Sequence, residues 1–191
     1  MPWMDMELRF DGRHQIIAPV VRAEARHKRE HENEKLQKWR LPVVCKIYDM
    51  TADSRSRLKP DEEIAIYSRL HDIQGHFIPQ LYAAGTHWGM LRILVLEDCG
   101  ASARDIVRNP DLHLPESFWL QAQRALKALH SRSILHGDLR MSNIAVSGRE
   151  VRLIDLGESL EAPKNRREAT IAYRNELKEL EEMQREHEGI K

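Results

Sequence analysis

Apolar residues recur along this chain in two rhythms. In LPVVCKIYDM, residues 41–50, they run almost unbroken around a single lysine, which predicts a buried strand. FIPQLYAAGTHWGMLRILVLEDCG, residues 77–100, predicts two antiparallel strands around a turn near Gly89, with LRILVLE fully buried. IAV and VRLID, separated by Ser147 and Gly148, predict a short hairpin, and MELRF with QIIAPVV predicts another within residues 6–21. The second rhythm is three-to-four. In residues 61–73, DEEIAIYSRLHDI, it predicts a helix on Ile64, Tyr67 and Leu70, opened by Pro60 and two acids. Residues 115–131, PESFWLQAQRALKALHS, read as an amphipathic helix with Phe118, Leu120, Ala125, Leu126 and Leu129 as core candidates. Two further segments, 22–40 and 164–188, are almost continuously charged, with opposite signs three and four apart, and predict exposed helices. The second of these has an apolar stripe of Ile171, Leu177, Leu180 and Met183. Strands gather in the first half and helices in the second, which predicts an α+β fold with two lobes.

Charge narrows the partners. Thirty basic residues balance thirty acidic ones, so the net charge is zero. A general nucleic-acid or membrane-surface binder carries excess positive charge, so neither partner is expected. Local patches remain, and the two charged helices are candidate contact surfaces. No window reaches the ~20 apolar residues of a membrane span, and the first residues lack the basic start and apolar stretch of a signal peptide. The expected location is intracellular, cytoplasmic or nuclear. Cys45 and Cys99 both sit in apolar strand-like runs and read as buried thiols rather than a disulfide. His27 and His31, four apart in the first charged segment, would share a helical face, but no further metal ligands accompany them.

The chemistry concentrates in HGDLRMSN, residues 136–143, a polar loop between two apolar segments. Asp138 and Asn143 taken alone could cap turns. Lys46 in a buried strand needs a partner in any fold, Glu63 alone is an ordinary helix carboxylate, and Asp155 alone suits a strand end. Their order along the chain is more specific. VVCK ends in Lys46, and Glu63 follows seventeen residues later on a helix. A buried strand then ends in Glu97-Asp98-Cys99-Gly100, a helix runs into HGDLRMSN, and IDLG places Asp155 twelve residues after Asn143. In this order the chain resembles the protein-kinase superfamily over residues 41–159. VVCK is similar to its V-A-I-K strand, HGDLRMSN to its H-x-D-x-x-x-x-N loop, and IDLG to its D-F-G motif, with Leu156 for phenylalanine.

The resemblance implies a two-lobed kinase-like fold with an antiparallel N-lobe sheet and a truncated helical C-lobe. It divides the chain into an extension at 1–40, an N-lobe core at 41–99 and a minimal C-lobe at 100–191. It implies ATP and Mg²⁺ as cofactors, held in a cleft between the lobes. Lys46, steadied by Glu63, would reach the phosphates; Asn143 and Asp155 would be the magnesium ligands; Asp138 would accept the proton of the attacking hydroxyl; and Arg140 would neutralise the γ-phosphate. Adenine would lie between Val44 and Ala145, hydrogen-bonded to the Glu97 carbonyl and the Cys99 amide. His136 would buttress the loop.

Three features depart from that pattern. No G-x-G-x-x-G precedes Lys46, since residues 1–40 contain only Gly12. HGD replaces H-R-D, as in the RIO-type kinases and small-molecule phosphotransferases, so control by activation-loop phosphorylation is not expected. After IDLG there is no A-P-E motif, and one charged helix follows, as in compact kinase-like proteins of filamentous fungi. The expected activity is ATP-dependent phosphoryl transfer to a protein serine or threonine, or to the protein itself. A pseudokinase serving as a binding module and a small-molecule phosphotransferase are the alternatives.

Overall fold

A computed structural model of the chain describes residues 6–10, 20–27, 40–51 and 54–189. It is a mixed α+β structure with small antiparallel sheets. Contacts divide it into two compact units, residues 1–60 with 80–98, and residues 61–79 with 99–191.

The first unit is built on one five-stranded antiparallel sheet of β1 (Met6–Phe10), β2 (Val20–His27), β3 (Arg40–Asp49), β4 (Leu81–His87) and β5 (Leu91–Glu97), in the order β1-β2-β3-β5-β4. Residues before 41 therefore share a sheet with the strands that follow them. The charged segment 22–40 opens as strand rather than helix. Its first six residues, with Val20 and Val21, form β2, which pairs with β1 on one side and β3 on the other. Val21-Arg22-Ala23-Glu24-Ala25-Arg26 alternates small or apolar residues with charges, and a two-residue period fits a strand. Two ladders then satisfy the backbone, which outweighs any i,i+4 charge pairs. The hairpin partner of MELRF is likewise β2, not the segment from Gln15, and residues 11–19 and 28–39 lie outside the described residues. His27 ends a strand rather than lying on a helix, and His31 lies outside the described residues.

The β4–β5 hairpin turns where expected. Trp88 and Gly89 both have positive φ, and Met90 N–H donates to His87 O at 3.1 Å. This left-handed pair suits the twist of an antiparallel hairpin. LRILVLE is buried only at Leu94, Val95 and Leu96, because β5 lies in mid-sheet but its ends approach solvent. Ala23, Val43, Cys45 and Val95 form the core cluster of this unit. Burial pushes the Cys45 thiol up from 9.0 to about 11. The folded state therefore keeps a proton that the unfolded chain releases. Its contribution to stability is complete below pH 9 and falls as pH rises toward 11. Denaturant titrations across that range are expected to show the loss, and Cys45→Ala to flatten it.

Helix α1 (Ser54–Arg69) begins before the expected start and contains Pro60, which is itself buried. Proline forfeits one i→i−4 hydrogen bond; here it sits in the helix interior instead of opening it. In the second unit α1 buries Glu63, Ile66 and Tyr67, with Leu70 just beyond its end. The unit also holds β6 (Ala101–Ser102), α2 (Ala103–Arg108), α3 (Phe118–His130), β7 (Ile134–Leu135), β8 (Ile144–Ser147), β9 (Glu150–Leu153), β10 (Leu160–Glu161) and α4 (Arg166–Glu188). Strands β6, β8 and β9 form a small sheet, and β7 pairs with β10. Helix α3 packs on β9 and α4 through Phe118, Ala122, Ala125, Leu126 and Leu129. Leu120 faces away and is half exposed. On α4, Leu180 is buried and Ile171 is exposed, and the stripe contains a buried carboxylate, Glu176. Asn165 caps α4, its Oδ1 accepting from the Arg167 and Glu168 amides at 2.9 and 3.4 Å. Asn165→Ala is expected to lower stability by about 1 kcal/mol in chemical denaturation. Among the described residues no helix is long and apolar enough to cross a membrane.

Candidate active site

The second unit brings HGDLRMSN and IDLG side by side. The apolar face of α3 ends at His130, the chain turns through Ser133 in a left-handed conformation, and β7 begins. Strand β7 pairs with β10, Leu135 opposite Leu160, so the two loops that follow β7 and precede β10 are held together. The β8–β9 hairpin closes the other side, and Ile154 N–H donates to Asn143 O at 2.9 Å.

His136 is fully buried at the junction. Its Nε2 donates to Ile154 O at 3.1 Å and its Nδ1 accepts the Asp138 amide at 3.4 Å. Both contacts suit a neutral ring. Burial pushes the imidazole below its usual range, against the opposing pull of Glu176, Asp155 and Asp138. Three carboxylates thus act on one buried histidine. Ser159 Oγ donates to His136 O at 2.9 Å. Gly137 has φ +79°, and a Cβ there would lie 2.1 Å from Glu158 O. An arginine, or any residue with a side chain, cannot occupy that position without moving the backbone.

Asp138 is the focus of the loop. Its Oδ2 accepts from Asn143 Nδ2 at 2.8 Å and from Arg140 Nη2 at 2.9 Å. Asn143 Nδ2 also donates to Asp138 O at 2.9 Å. Both amide protons are therefore spent on Asp138, which fixes the side chain of the buried Asn143 and turns its Oδ1 the other way. Asp155 adopts a left-handed backbone, φ +64° and ψ +68°. That conformation is costly for a non-glycine residue and is tolerated best by Asp and Asn. Leu156, which follows it, is fully buried. Oxygen donors from one carboxylate and one amide fit a hard ion such as Mg²⁺, which keeps several waters. Among the described residues no group of three or more His, Cys, Asp or Glu side chains gathers to hold a metal.

The remaining predicted residues have these places. Val44 and Lys46 lie opposite Leu96 and Leu94 in the β3–β5 register, so all four share one face of the first unit's sheet. Lys46 is 8 % exposed, and its Nζ lies 5.8 Å from the Tyr48 ring centroid. Glu97 Oε2 accepts the Gln80 amide at 3.1 Å, and the Glu97 amide donates to Gln80 O at 2.9 Å. In the second unit, Glu63 is buried on α1, and Cys99 Sγ lies 3.6 Å from Arg152 Nη1. Ala145 pairs with Arg152 on β9 and with Ser102 on β6.

One residue of the site escapes the motif reading. Glu176, on α4, accepts the Gly137 amide at Oε1 (2.8 Å) and contacts His130 Nε2 at Oε2 (2.7 Å). Tyr173, one turn earlier, stacks on His130 at 4.6 Å. Burial pushes the Glu176 carboxyl up, but the hydrogen bonds from His130 and from the Gly137 and His136 amides outweigh it and hold the carboxyl below its ordinary value. The sequence signal is that Glu176 stands three residues after Tyr173 and four before Leu180, on the same helical face. No protein-family model matches the chain, and neither does any curated protein sequence.

Proposed function

We propose that the chain is an ATP- and Mg²⁺-dependent phosphotransferase of the protein kinase-like type, acting on a serine or threonine hydroxyl of a protein or of itself. The observation that carries this reading is the set of hydrogen bonds around Asp138. Asn143 and Arg140 hold one of its carboxylate oxygens, the buried His136 steadies its amide, and the loop bearing Asp155 is tied to Asn143. Magnesium-bound ATP, when present, supplies the γ-phosphoryl group. Asp138 orients the acceptor hydroxyl and takes its proton as the oxygen bonds to phosphorus and ADP leaves. Arg140, 60 % exposed, stays within reach of the transferred charge. Asn143 Oδ1 and the Asp155 carboxylate would be the metal ligands. The reading assigns the phosphates to Lys46 and the base to Val44, which share one face of the first unit's sheet.

The test is a melting curve with and without Mg·ATP, followed by a transfer assay with labelled γ-phosphate. Nucleotide at 100 times its dissociation constant is expected to stabilise the fold by about 2.7 kcal/mol. Absence of any shift at millimolar nucleotide removes the proposal. A pseudokinase reading draws on the single glycine ahead of Lys46, too few for a loop of amides over the phosphates. It predicts the shift with no transfer.

A further inference from the structure

The first three turns of α4 carry a feature that phosphoryl transfer does not use. Arg166, Arg167, Thr170, Ile171 and Arg174 line an open groove of about 600 Å³. Thr170 Oγ1 is turned inward on Arg166 O at 2.8 Å. The guanidinium groups of Arg166, Arg167 and Arg174 make no ion pair or side-chain hydrogen bond with the described residues. Ile171, 48 % exposed, supplies an apolar wall. Three other arginines of this unit are held by carboxylates: Arg69 by Glu161, Arg132 by Asp72, and Arg152 by Glu150. The net charge of the chain is zero, so three guanidiniums on one groove, unpaired among the described residues, are a local concentration of positive charge.

We infer that this groove docks an acidic peptide segment of another protein, with an apolar side chain seated on Ile171. Arg166 and Arg174 are eight residues apart, about 12 Å along a helix axis. A single phosphate spans far less, whereas carboxylates spaced along a peptide match it, and guanidinium forks suit carboxylates. Nucleic acid fits less well. Among the described residues no aromatic ring lines the groove to stack a base.

The test is fluorescence anisotropy on the full chain with a labelled synthetic peptide of repeating Glu-Glu-Leu. Saturable binding is expected that weakens with added salt. Arg167→Glu/Arg174→Glu should reduce the affinity about tenfold, as should the Gln-Gln-Leu peptide with the native protein. Ile171→Ser should weaken binding while leaving the salt dependence unchanged. Arg167→Gln/Arg174→Gln gives a second route should charge reversal disturb folding. Equal affinity of native and variant protein for the peptide overturns the proposal. So does tighter binding of single-stranded oligouridine than of the peptide. Sedimentation that detects a dimer in the native chain but a monomer in the charge-reversed one overturns it too, by assigning the groove to a second copy. None of these readouts depends on ATP, so failure here is separable from failure of the phosphotransferase reading.

Discussion

Glu176→Ala is expected to lower the unfolding free energy by about 3 kcal/mol, read as a drop in melting temperature of about 6–12 °C. The carboxylate is buried and serves two groups on different elements, the Gly137 amide and His130. Alanine leaves both without that partner and opens space between α3 and α4. Glu176→Gln keeps an acceptor for the Gly137 amide and is expected to cost only about 1 kcal/mol. Acid titration separates this role from simple packing. The folded Glu176 releases its proton more readily than the unfolded chain does. Its contribution is therefore complete above the ordinary value of 4.5 and is lost as pH falls through the lowered one. His136 has the same sign. Burial disfavours the charged ring, so its contribution is present above 6.5 and is lost below it as the unfolded chain takes up protons. Native protein should begin to lose stability near pH 6.5 and lose more below 4.5. Glu176→Gln should remove the second part and retain the first. An unchanged acid limb in that variant would contradict the role given to the carboxylate.

Asp138→Asn should reduce γ-phosphoryl transfer by about 10²–10⁴-fold while preserving the thermal shift given by Mg·ATP. The amide is close in shape to the carboxylate and can still accept from Asn143, so the loop should survive. What is lost is the base and the anionic partner of Arg140. Arg140 is mostly exposed and can rehydrate, which keeps the structural penalty small. Asp138→Ala should have the same kinetic effect. Transfer at the native rate in both variants would remove Asp138 from the reaction. Asp155→Ala adds a contrast, because it is expected to abolish the magnesium dependence of the nucleotide shift rather than transfer alone.

Several elements were legible from short-range pattern. Strand β3, the β4–β5 hairpin and the β8–β9 hairpin each combine apolar runs with turn residues whose backbone needs are local, such as Gly89 and Gly148 at positive φ. The polar loop at 136–143 stood out because apolar segments bound it, and the structure does bring Asp138, Arg140 and Asn143 together. Helix α4 was legible too, from its run of charges and its apolar stripe. Residues 22–27 were misread because charge spacing favoured a helix, while alternation and two waiting strands favoured a sheet. Leu120 was misread because a helical wheel alone does not say how much of its apolar arc a neighbour will cover.

What the chain determined by itself is local: the hairpins and helices whose apolar rhythm is unambiguous, and which polar residues share a loop. Tertiary structure decided the rest. The pairing of β7 with β10 sets the two loops beside each other, and the docking of α4 carries Glu176 from 39 residues downstream to the Gly137 amide next to Asp138. It also leaves Arg166, Arg167 and Arg174 on an open face. The reason is physical: hydrogen-bond periodicity acts over a few residues and is written in the local sequence. Which buried carboxylate meets which amide depends on how distant apolar faces pack, and no single stretch of the chain encodes that.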